Sequence, residues 1–140
     1  MKKIIFFIAL ISVSLFSFAC GSGSAPAAGG KTVKTATVNN LTVTLATNDG
    51  VIRDGNNNFT LTFTDASGKP VDVGAASVNF YMPAMGSMAA MNDAATLTTS
   101  DTPGVYKGKA NLQMGGEWQA QIAWEGAAGK GKTSFPITAQ

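Results

Sequence analysis

Apolar and polar residues alternate through most of the chain after residue 30, and this pattern predicts a protein built from β-strands. In the clearest segment, Phe59, Leu61 and Phe63 are separated by threonines. Residues 118–124 repeat the pattern, with two tryptophans, an alanine and an isoleucine on one face. Successive side chains of a strand point to opposite faces of a sheet, so this alternation is typical of half-buried strands. No segment after residue 30 shows a convincing helical period.

Turn signals divide this region into seven to nine short strands. Asn39-Asn40 forms a natural turn, and Pro103-Gly104 suits the two central positions of a type II turn. The predicted strands are 32–38, 41–47, 59–64, 77–81, 95–99, 105–112, 118–124 and 133–137, with 71–73 as a candidate for one more. Short strands at such regular intervals predict an all-β fold, a two-sheet antiparallel sandwich of immunoglobulin-like type.

The first 19 residues have the pattern of a secretory signal peptide. Lys2 and Lys3 precede an apolar run from Ile4 to Phe18. As a helix this run would reach about 22 Å, which is short of the roughly 30 Å hydrocarbon core of a membrane. We therefore expect residues 1–19 to direct export to the bacterial periplasm or cell surface.

The single cysteine of the chain, Cys20, lies where the signal of a bacterial lipoprotein would be cut. Ser17 and Phe18 depart from the usual lipoprotein pattern, so an ordinary cleavage site beside an unrelated cysteine is the alternative. Acylation would remove an exposed thiol from an oxidising compartment. We expect a lipid anchor on Cys20, a flexible Gly/Ser/Ala linker over 20–34, and the folded domain over 35–140.

The charge distribution argues against two classes of function. The formal net charge is +2, and removal of Lys2 and Lys3 leaves eight basic residues against eight acidic ones. Without a basic cluster the chain has no electrostatic footprint for nucleic acid. The carboxylates are scattered and histidine is absent, so no nucleophile–base pair is visible and we expect no enzymatic activity. Alternatively, carboxylates that are far apart in the sequence come together in the fold and form an active site.

Soft sulfur ligands are concentrated in one segment of the chain. The chain has six methionines, and four of them are spaced three residues apart between positions 82 and 91. Thioether sulfur selects soft ions such as Cu(I), whereas zinc and Cu(II) prefer imidazole, thiolate or carboxylate sets. The candidate ligands for Cu(I) or Ag(I) are therefore Met82, Met85, Met88, Met91 and the more distant Met114.

The same methionines have two interpretations that involve no metal. Methionine is a flexible filler of irregular gaps, so the segment can close one end of the core. It can also present an apolar patch to a protein partner. A spacing of three keeps side chains on one side only in a three-per-turn conformation, and two or three sulfurs share an ion only if the loop curls. The sequence does not fix whether Met114 lies near this loop.

Three stretches together resemble the YtkA-like/FixH-like domain family. They are FTLTFTDASGKP at 59–70, YMPAMGSM at 81–88 and TPGVYKGKANLQMGGEW at 102–118. The resemblance covers roughly 38–137, and its most specific part is the pair of motifs MPxM and MGGxW. It implies an immunoglobulin-like sandwich, found in small lipoproteins or fused to periplasmic adaptor subunits of heavy-metal efflux systems. It therefore implies a metal context, with an efflux adaptor or another envelope protein as partner.

One position departs from the family pattern. Relatives often carry a histidine among the methionines, where this chain has Ser87. An all-thioether site would be weaker, restricted to Cu(I) or Ag(I), and nearly independent of pH around neutrality. The sequence thus leads to a membrane-tethered exported module that binds Cu(I) or Ag(I) through a methionine-rich loop, for metal handling or efflux. The alternative is an interaction module of an envelope complex, in which the loop is an apolar docking patch.

Overall fold

Nine β-strands account for most of residues 29–140, which are the residues that the computed structural model describes. In chain order they are β1 (Lys31–Val38), β2 (Leu41–Thr47), β3 (Gly55–Thr64), β4 (Ala75–Met82), β5 (Met91–Ala94), β6 (Thr96–Thr99), β7 (Val105–Leu112), β8 (Gly116–Gly126) and β9 (Gly129–Ala139). They form a five-stranded sheet of order β1-β2-β3-β7-β6 and a four-stranded sheet of order β5-β4-β8-β9. Every strand pair within the sheets is antiparallel, so the predicted two-sheet immunoglobulin-like sandwich is confirmed.

Two of the predicted turns are confirmed with their backbone geometry. Asn39 and Asn40 have φ of 50° and 64°, the pattern of a type I′ hairpin between β1 and β2. Gly104 has φ of 81°, and the Val105 amide donates to the Thr102 carbonyl at 3.1 Å, as a type II turn requires. Local turn chemistry alone is enough to predict these two connections.

Strand β1 begins at Lys31, one residue before the predicted strand 32–38, and it includes residues 31–34 of the expected linker. Two other segments differ from the expectations. Residues 71–73 form no strand: the chain makes a single bridge between Thr64 and Pro70, and the Val71 amide donates to the Phe63 carbonyl at 2.9 Å. Residues 91–94, expected in a loop, form β5.

The expected signal peptide, the expected lipid-anchor residue Cys20 and most of the expected linker lie outside the described residues. Within residues 29–140, no helix is long and apolar enough to cross a membrane.

The core lies between the inner faces of the two sheets. Trp118 and Trp124 are 0% and 4% exposed, which confirms their prediction as core residues. Edge-to-face aromatic contacts join the sheets, with ring centroids 5.7 Å apart for Phe59 and Phe80 and 5.4 Å apart for Phe63 and Trp124. Such contacts add to the free energy of burial, so they hold β4 and β8 firmly against β3.

Strand β7 leaves space for one of these aromatic rings. A Cβ atom at Gly108 would overlap the ring of Phe59, which in turn packs on Phe80. We expect Gly108→Ala to lower the free energy of unfolding by about 1–3 kcal/mol, because overpacking forces the ring to move. Urea denaturation measures this, and an unchanged midpoint would contradict the packing described.

Candidate methionine hairpin

The methionine segment is a β-hairpin. Strand β4 pairs with β5 through Tyr81 with Asn92 and Met82 with Met91. Residues 83–84 and 89–90 are unpaired, and at the tip Met85 and Met88 exchange two backbone hydrogen bonds of 3.1 and 2.9 Å. The four methionines therefore lie opposite one another as two cross-strand pairs, one at the base of the hairpin and one at its tip.

A two-residue turn closes the tip. Gly86 has φ of 58°, and Ser87 does not have a positive φ. This is the pattern of a type II′ turn, which favours glycine at its first central position and matches the twist of a hairpin. A Cβ atom at Gly86 would meet nothing within 4 Å, so the turn is surrounded by open space on that side.

Burial divides the methionines into two groups. Met82 is 1% exposed and belongs to the core, whereas Met85 and Met88 are 51% and 41% exposed. Met91 and Met114 are half-buried and pack against the core. The structure pairs Met85 and Met88 at the surface and places Met82 in the core.

The strand period explains the burial of Met82 only. Phe80 and Met82 share the inner face of β4, because residues two apart point the same way. Strand β4 ends at Met82, and residues 83–84 and 89–90 belong to no strand. Regular pairing therefore stops at Met82, and the tip pair lies exposed beyond this interruption.

Met82 fills the end of the sandwich next to β8. Its Cε atom would lie 3.1 Å from a Cβ atom at Gly116, so the missing side chain makes room for the thioether. The buried Trp118 donates its Nε1 hydrogen to the Met114 carbonyl at 3.1 Å. The segment that carries Met114 thus adjoins the base of the hairpin.

A carboxylate ties the hairpin to the other sheet. Strand β6 pairs with β7 only as far as Lys109, so Asn111 has no strand neighbour on that side. The Asn111 amide instead donates to Asp93 Oδ1 at 3.1 Å. Asp93 lies on β5, just before the chain changes sheets at Ala95, whose amide donates to the Val78 carbonyl at 2.9 Å. No local sequence pattern indicates this role.

Amide side chains brace the hairpin on its outer face. Asn79 Nδ2 donates to Asn92 Oδ1 and to Gln121 Oε1, both at 3.1 Å. These bonds link β5, β4 and β8 across the solvent side of the sheet. The base of the hairpin is therefore held on both faces, while its tip is free.

Thioethers are the ligands that the tip itself offers. Among residues 29–140, no group of three or more His, Cys, Asp or Glu side chains is arranged to hold a metal ion. The tip can therefore offer soft sulfur and apolar surface.

A salt bridge lies elsewhere in the fold, between β2 and β3, where Arg53 and Asp49 are 2.7 Å apart. The hydrogen bond from Arg53 lowers the pKa of Asp49 to about 2.

The hydrogen bond between the Asn111 amide and Asp93 can be tested by substitution. We expect Asp93→Ala to weaken the base of the hairpin by about 1 kcal/mol, because the Asn111 amide loses its acceptor. Amide hydrogen exchange at Asn111 and Met91 should become faster. Asp93→Asn keeps an acceptor oxygen and serves as the matched control, with exchange close to that of the native chain. Equal exchange in all three proteins would contradict the anchor.

Comparison with protein families agrees with this architecture. The model of the YtkA-like family matches residues 35–123, which is more than half of the chain. Comparison with curated proteins gave no match, and comparison with solved structures gave none either. Because this match covers more than half of the chain, the chain belongs to the YtkA-like family.

Proposed function

We propose that this chain is an exported, membrane-tethered module that binds Cu(I) or Ag(I) at the tip of its methionine hairpin. The observation that supports the proposal is the exposed cross-strand pair of Met85 and Met88, with 51% and 41% exposure. The role is binding and transfer of the ion, without catalysis.

The geometry of the tip suits two sulfurs on one ion. Residues that exchange both backbone hydrogen bonds have Cα atoms about 5.5 Å apart, and their side chains leave the same face of the hairpin. Methionine has a flexible, unbranched side chain, so the two thioethers can converge without a change in backbone. Thioethers favour soft monovalent ions. A two-sulfur site leaves the ion open to a further ligand, which suits handing it to a partner.

The other candidate ligands are more buried than the two tip methionines. Met82 would have to leave the core to join an ion, and exposing a side chain of this size costs about 2 kcal/mol. Met91 and Met114 are half-buried and would have to turn outward. We therefore assign the first binding step to Met85 and Met88, and a shared five-sulfur site stays a prediction.

The export and anchoring parts of the proposal rest on the sequence. The apolar run before Ala19 and the position of Cys20 support a lipoprotein in the periplasm or at the cell surface. The family resemblance supports a heavy-metal efflux adaptor, or another envelope protein, as the partner that receives or supplies the ion.

A competition titration tests the tip pair directly. In the absence of oxygen, the full chain should withdraw Cu(I) from a weak chromogenic chelator with a defined stoichiometry. Changing both Met85 and Met88 to leucine should abolish this competition, because leucine keeps the apolar bulk and removes the sulfur. Met82→Leu is the matched control: it should bind like the native chain and cost less than about 1.5 kcal/mol of stability.

Two results would contradict the proposal. One is failure of the native chain to compete even with the weakest chelator. The other is a loss of binding in Met82→Leu that equals the loss in the double tip variant, because this would assign the site to the core.

Ser87 allows a gain-of-function test. It is exposed between the two tip methionines, so Ser87→His would place an imidazole beside both sulfurs. We expect tighter Cu(I) binding that weakens below about pH 6.5, because protonated imidazole cannot coordinate a metal. Binding by the native chain should stay nearly constant from about pH 5.5 to 8, since thioethers do not titrate there. Parallel pH profiles for the two proteins would contradict a ligand site at the tip.

A docking role without metal is the second candidate. Met85 and Met88 are large apolar side chains exposed at one place, and flexible methionine surfaces adapt to partner proteins. Docking depends on apolar bulk and metal binding on sulfur, so the double leucine variant separates the two. A variant that loses Cu(I) binding but still co-purifies with an envelope partner would assign the tip to docking as well.

A further inference from the structure

We propose that Met85 and Met88 are also an oxidation site, and that each takes up one oxygen atom from a hydroperoxide while Met82 is spared. Exposure differs sharply within one hairpin: Met85 and Met88 are 51% and 41% exposed, whereas Met82 is 1% exposed. Sulfur oxidation requires the oxidant to reach the sulfur lone pair, so susceptibility follows exposure.

The surroundings of the sulfurs reinforce this contrast. The tip carries Gly86 and Ser87 between the two methionines, and a Cβ atom at Gly86 would meet nothing within 4 Å. Met82 is enclosed by the core, with its Cε atom against Gly116. A hydroperoxide molecule can therefore approach the tip sulfurs from solvent, whereas it reaches Met82 only when the base of the hairpin opens.

The chemical step is a two-electron oxygen transfer. A lone pair of the thioether attacks one oxygen of hydrogen peroxide, the O–O bond breaks, and an S–O bond forms. The proton of the transferred oxygen moves to the departing oxygen, which leaves as water. Sulfur is oxidised to the sulfoxide and the peroxide is reduced, with no other reactant.

The position of the pair makes this modification compatible with the fold. A sulfoxide is polar and disrupts a core, but Met85, Met88 and the residues around them at 83–90 are exposed. The base pair of Met82 and Met91 keeps the hairpin in register, so the oxidised chain should stay folded. Reduction of the sulfoxides by a methionine sulfoxide reductase would restore the pair.

If the proposed function is right, the modification also controls metal binding. Oxidation uses one sulfur lone pair and replaces a soft donor with a hard oxygen, which Cu(I) and Ag(I) bind poorly. The oxidised tip would therefore release the ion. This consequence rests on the proposed function, whereas the selectivity of oxidation does not.

The test exposes the full chain, reduced and free of metal, to dilute hydrogen peroxide and follows each methionine by tandem mass spectrometry. We expect Met85 and Met88 to be oxidised at least about tenfold faster than Met82, with the circular dichroism spectrum unchanged. Met82→Leu should take up oxygen at the tip at the native rate. Comparable rates at Met82 and the tip, or unfolding that accompanies the first oxygen uptake, would overturn the proposal.

A second measurement separates this proposal from the function. Silver binding is compared before and after selective oxidation. Loss of binding after oxidation supports the switch, and unchanged binding overturns it. An unmodified chain that binds no silver overturns the proposed function and the switch together, while selective oxidation would still establish the modification site.

Discussion

The burial of Phe80 and Met82 on the inner face of β4 is the constraint on which the hairpin depends. Both side chains are at most 1% exposed, and they fix the register of β4 against β8 on one side and β5 on the other. A shift by one residue would expose them, so the register is strongly specified. Strand β4 ends at the buried Met82, and Met85 and Met88 lie exposed beyond it, on either side of the turn at Gly86.

The same residue type thus has two physical roles within ten residues of sequence. Met82 acts as an adaptable apolar side chain that fills the end of the core, where the absent side chain of Gly116 leaves room for it. Met85 and Met88 gain little from burial, so their thioethers are available to a soft ion, to an oxidant or to a partner surface. The braced base, with Asp93 bound to Asn111, lets the tip interact without disturbing the core.

The sequence predicts most of the fold and only part of the site. Alternation identifies β3 and β8, and the Asn39-Asn40 pair identifies a hairpin, because each signal is local. The methionine hairpin is not recognised from the sequence, because a spacing of three residues differs from the alternation typical of a strand. The pattern that could have revealed it is the symmetric position of the methionines, which lie at equal distances on either side of Gly86-Ser87. The role of Asp93 depends on where the chain changes sheets, which no local pattern reveals.

Met85 and Met88, and not the buried Met82, should meet a soft ion first. Labelling the methionine methyl groups with ¹³C and titrating the full chain with Ag(I) would test it at every sulfur separately by NMR. We predict that the methyl signals of Met85 and Met88 shift together and saturate, while the Met82 signal stays in place. Equal shifts at Met82 from the first addition, or no shift at the tip, would contradict it.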